Sequence, residues 1–86
     1  VLPVKKVHEE CMQLSVGQKL TFSYQANAEL EFNLHFHQGK EVTTPMSGKY
    51  SNDSNTYSAE AKNYFCLMWQ NKNSAPTKFQ STYRVD

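Results

Sequence analysis

The sharpest chemical pattern in this 86-residue chain is His35-x-His37-x3-Glu41. On a strand, residues two apart point to the same face, so His35 and His37 sit side by side. A two-residue hairpin turn at Gln38-Gly39 would bring Glu41 back toward them. Imidazole and carboxylate together suit Zn, Cu, Fe or Ni. One reading is therefore a metal site of His35, His37 and Glu41, with His8 as the only other imidazole, holding a divalent transition ion such as Zn or Cu. The other reading, which we favour from sequence, is a solvated strand face with no cofactor. Histidines on the polar side of an alternating strand are ordinary, and no further histidine follows His37.

The two cysteines, Cys11 and Cys66, lie near opposite ends of the chain. In a cytosolic protein such a pair reads as two buried thiols; in a secreted domain it reads as a bridge. A bridge closing a loop of this length contributes about 4 kcal/mol in the chain-entropy model. No Cys-x-x-Cys exists, which removes thiol-redox and zinc-finger motifs. Catalytic patterns are equally thin. There is no Gly-x-Ser-x-Gly elbow, and nothing singles out an acid–base pair among Glu29, Glu31, Glu41, Asp53 and Glu60. The expectation is a protein that is not an enzyme.

Composition bounds the partner. Nine basic and eight acidic residues give a net charge of +1, which offers no bulk attraction to nucleic acid. No apolar run approaches the ~20 residues of a membrane helix. The three glycines, Gly17, Gly39 and Gly48, do not form a phosphate-binding loop. Hydrophobic residues make up only 38% of the chain, with five Phe, five Tyr, one Trp and no Ile. A thin core built from large rings follows, in one domain spanning residues 1–86.

Period-2 alternation dominates the elements that would position these residues. Leu20, Phe22 and Tyr24 alternate with Thr21 and Ser23, and residues 30–37 alternate more cleanly. Residues 40–44 return from the hairpin, and Pro45 and Gly48 are expected to end that strand. Residues 47–58 are rich in Ser and Asn and read as a long loop or a weak edge strand. Its residues Tyr50, Asn52, Asp53 and Asn55 are the candidate interaction loop. Residues 63–70 are apolar on both faces, as in a central strand, and residues 78–85 alternate again with Phe79, Tyr83 and Val85 inward. Residues 58–62 hold good helix formers but amount to about one turn.

The layout resembles the GOLD (Golgi dynamics) domain. The resemblance rests on Glu9-Glu10-Cys11, on the strand from Val16-Gly17 through Leu20, Phe22 and Tyr24, and on Tyr64-Phe65-Cys66-Leu67-Met68-Trp69-Gln70-Asn71 before a closing strand. It covers nearly the whole chain and is closest in character to soluble bacterial-type GOLD-like proteins, relatives of the luminal domain of early-secretory-pathway cargo receptors. It implies a disulfide between Cys11 and Cys66 and pairing of the Tyr64 strand with the amino-terminal half. The receptors' coiled coil, membrane helix and cytoplasmic tail have no counterpart in this sequence. The expected fold is all-β, an antiparallel Greek-key β-sandwich of seven to eight strands with one disulfide. The expected role is a binding module for an unidentified protein, in a periplasm, a secreted setting or the lumen of the secretory pathway.

Overall fold

A computed structural model describes residues 1–86. The chain forms five strands: β1 (Val7–Leu14), β2 (Lys19–Gln38), β3 (Glu41–Ser58), β4 (Asn63–Gln70) and β5 (Phe79–Val85). All pairings are antiparallel, in the order β1-β4-β2-β3 with β5 alongside β2. The all-β, antiparallel expectation holds. The number of strands is five rather than seven or eight, and the reason lies in β2 and β3.

Residues 20–24 and 30–37 belong to one long strand. The intervening Gln25-Ala26-Asn27-Ala28-Glu29 holds neither glycine nor proline, so nothing breaks the extended backbone. The strand bends there instead: between the pairs Gln25↔Asn52 and Leu30↔Tyr50, Ala26 to Glu29 stand opposite Ser51 alone. Pro45 and Gly48 likewise fail to end β3. Leu34 pairs with Met46 and Phe36 with Thr43, so Thr44 and Pro45 together oppose His35 in a bulge. A bulge on an edge strand is where a missing proline N–H is tolerated. Of the two readings of residues 47–58, the edge strand is the one found: its second half is held to β2 from Lys19↔Ser58 to Gln25↔Asn52.

The bend gives the two halves of β2 different neighbours. Leu20 to Ala26 pair with β5, Glu31 to Phe36 pair with β4, and β3 runs beside both halves. Alternation buries Leu20, Phe22 and Tyr24 from one half and Leu30, Phe32 and Leu34 from the other. Their rings meet: Phe22 and Phe32 lie 5.2 Å apart between centroids, and Tyr24 and Phe32 5.3 Å. Trp69 of β4 joins both halves, 5.6 Å from Tyr24 and 5.7 Å from Phe32. These separations fall in the range favoured by aromatic pairs. The few apolar residues therefore suffice because the rings converge on one place.

Cys11 and Cys66 face each other across β1 and β4 and form a disulfide, with Cα atoms 4.1 Å apart. β1 has no strand partner besides β4, so the bond ties the outermost strand to the sheet. Such a bond fits an oxidising environment. No helix is long and apolar enough to cross a membrane. The helix formers of residues 58–62 build no helix. Ala59 is buried, and its N–H donates to the Gln18 carbonyl while its own carbonyl accepts from Gly17. Asn71, fully buried, fixes the amino terminus: its side-chain amide donates to the carbonyls of Leu2 and Ala75, and its oxygen accepts from the Asn73 N–H.

Candidate functional site

Two surfaces gather the residues singled out by sequence. The first is the solvent side of the β1-β4-β2 half. Register places the Cys11–Cys66 pair in line with His35, since Cys66 pairs with both Cys11 and His35. His35 is buried to 8% exposure, and its Nδ1 lies 2.6 Å from Asn33 Oδ1. Its Nε2 lies 3.6 Å from Glu9 Oε2 of β1, which reaches over the intervening strand. His37 follows on the same face, its ring edge-on to His35 at 5.4 Å.

Glu41 is not part of this face. The turn residues are Gly39 and Lys40, one step later than sequence placed them, with Gly39 at a positive φ of 62° in the first turn position. Val42 therefore pairs with His37, and Glu41 pairs with Gln38 on the opposite side. Pairing beside a two-residue turn sets odd positions of β2 opposite even positions of β3, so Glu41 faces away from His35 and His37. His8 is also elsewhere: it stacks on Trp69 and Phe79 on the core side and contacts Glu10 at 3.2 Å. One cluster of three metal-capable residues does form, Glu9 with Cys11 and Cys66. Both sulfurs are oxidised, which removes the thiolates that would ligate.

The second surface lies where the two halves of β3 face each other across the bend. Phe32, Met46, Tyr50, Asp53 and Asn55 line a cleft there. Of the four residues proposed from sequence, Tyr50, Asp53 and Asn55 converge, whereas Asn52 points to the other side. Asn52 instead borders a shallow polar trough with Ser23, Gln25, Ser54 and Thr82. The Tyr50 ring lies across Gly48, where any Cβ would collide with it. No family model matches the chain, and no curated protein matches it. The site must be read from its own chemistry.

The Tyr24 hydroxyl is buried without a hydrogen-bond partner, its residue bordering the polar trough directly across the strand pair from Asp53. Burial, then the Asp53 charge and Tyr50, push its phenol well above the ordinary tyrosine range. Burial and Glu60 push Tyr57 in the same direction. An acid whose folded pKa is raised keeps its proton where the unfolded chain loses it. That contribution to stability is complete below pH about 10 and is lost as pH rises further. Between about pH 9 and about pH 11, the unfolding free energy from urea melts should therefore fall more steeply for the wild type than for Tyr24→Phe, by up to about 1.4 kcal/mol per pH unit. Equal slopes would mean that the phenol ionises freely in the folded state.

Sequence reading missed Glu9 and Asn33 as partners of His35. Asn33 could have been found, since alternation puts it on the face of His35; Glu9 could not, because only the strand order β1-β4-β2 brings it there.

Proposed function

We propose that the chain is a non-enzymatic, GOLD-like protein-interaction module of an oxidising compartment, a periplasm or the secretory-pathway lumen. It recognises an extended segment of a partner protein along the free edge of β3. The observation that carries this reading is the length of that edge: β3 runs for 18 residues and pairs on one side only, with β2. Such an edge presents a row of backbone donors and acceptors that another strand can complete. Its stretch 51–58 carries one charge, that of Asp53, and no proline, so little opposes pairing. The cleft of Tyr50, Asp53 and Asn55 lies along the same strand and would read the partner's side chains.

The GOLD-like assignment is supported by the Cys11–Cys66 bond and by the pairing of β4 with both amino-terminal strands. In this reading the two halves of the bent β2–β3 hairpin are the two layers of a sandwich, with Phe22 and Tyr24 facing Phe32 and Trp69. A non-enzymatic role is supported by the bond as well, because it withdraws both cysteines from nucleophilic chemistry.

The test uses the oxidised protein immobilised in an extract of its own compartment, beside a Ser54→Lys/Thr56→Lys variant that blunts the edge. Both substituted residues are exposed. The expected result is a captured protein that resists chelator and is retained at least about 10-fold less by the variant, the equivalent of ~1.4 kcal/mol. Capture undiminished by the substitutions would place the binding surface elsewhere.

A further inference from the structure

The contact between His35 and Glu9 has the wrong length for a hydrogen bond and a suitable one for two ligands of a metal. Asn33 Oδ1 can only accept, so at 2.6 Å it fixes the proton on His35 Nδ1. In the neutral ring that leaves the Nε2 lone pair facing the Glu9 carboxylate, two acceptors 3.6 Å apart. A charge-assisted hydrogen bond between them would close to about 2.8 Å. Two donor atoms held at ~2.0–2.1 Å around a tetrahedral ion stand about 3.3 Å apart, close to what is found here.

The surroundings match a metal site in other ways. A ligating histidine typically donates its second ring N–H to a fixed acceptor, which is what Asn33 supplies. The disulfide beneath Glu9 fixes β1 against β4, so the carboxylate and the imidazole are held by a rigid part of the sheet. His37 shares the face of His35 and is exposed, so it would complete the site after a change of its side-chain rotamer. Water completes the coordination of such an open site.

We infer that Glu9 and His35, with His37 as third ligand, form a surface site for a divalent transition ion of the zinc or copper class. The site differs from the sequence motif in its carboxylate: Glu9 of β1 takes the place of Glu41, which faces away. It also lies apart from the β3 edge, so the two proposals stand or fall separately.

The test titrates the oxidised protein, its disulfide verified by mass, with Zn²⁺ alone and Cu²⁺ alone, following affinity by calorimetry and the histidine ring resonances by NMR. One equivalent should bind, with Zn²⁺ shifting His35 and His37 but not His8. Glu9→Gln should weaken binding by about 10-fold or more, and Asn33→Ala by about 10-fold through loss of the orienting bond. Glu41→Gln and His8→Gln should leave it unchanged. Glu9 is exposed, so its variant reports on the ion even if a His35 variant fails to fold. No saturable binding at micromolar metal, or binding indifferent to Glu9→Gln, would overturn the site and leave Glu9 as a partner only of a protonated His35.

Discussion

Reducing the Cys11–Cys66 bond should cost the domain about 4 kcal/mol, the loop-closure entropy that a bridge across 55 residues removes from the unfolded chain. A core of this size supplies only ~3–5 kcal/mol in all, so the reduced protein should be largely unfolded near 37 °C. The geometry adds a local reason. β1 pairs with β4 alone, and the bond sits at the middle of that ladder, between Val7↔Gln70 and Leu14↔Asn63. Urea melts with and without a dithiol, or of a Cys11→Ala/Cys66→Ala variant, measure the effect. A collapse of the midpoint toward zero urea is expected. A loss below about 1 kcal/mol would mean that the strands hold β1 without the bond.

Trp69→Ala should be the most damaging single core substitution, costing about 3–5 kcal/mol. The ring is fully buried and touches four others: His8 of β1, Tyr24 and Phe32 from the two halves of β2, and Phe79 of β5. Its removal leaves a cavity where the halves of the bent strand meet, and the four rings around it all belong to paired strands. Trp69→Phe should cost far less. It keeps most of the buried ring surface and deletes an indole N–H that is buried without an acceptor. Chemical denaturation followed by far-ultraviolet circular dichroism distinguishes the two. Similar losses for Ala and Phe would show that shape at this position matters more than volume.

The parts of this fold legible in the sequence are those governed by side-chain alternation. Phe22, Tyr24, Phe32 and Leu34 were readable as core because period 2 fixes which face each occupies. The Cys11–Cys66 pair was readable because a thin core and two distant cysteines leave a single intramolecular pairing. Met68 and Tyr64 departed from the reading of a strand covered on both sides: Met68 is only partly buried and Tyr64 is 61% exposed, because the outer face of β4 is covered chiefly by the disulfide. Tyr83, read as inward, is 44% exposed, since its position opposite Phe22 lies on the terminal strand β5.

What sequence misjudged was continuity and register. Strand ends were assigned at Pro45 and Gly48, yet an edge strand absorbs a proline at a bulge, and Gly48 serves to admit the Tyr50 ring. The hairpin turn was placed one residue early, but that did not displace Glu41: next to any two-residue turn here, odd positions of β2 stand opposite even positions of β3, so Glu41 faces away from His35 and His37 in either register. Glu9 was invisible as a partner for His35 because the two are brought together by strand order, β1-β4-β2, which no local pattern encodes.

In the proposed function, the disulfide-tied sheet offers the edge of β3 to a protein partner. The most direct measurement is amide hydrogen exchange of the oxidised protein, free and bound to its captured partner. New protection should run along β3, strongest over residues 51–58, while β1 and β5 exchange as before. Protection confined to β1 or β5, with β3 unchanged, would contradict the account.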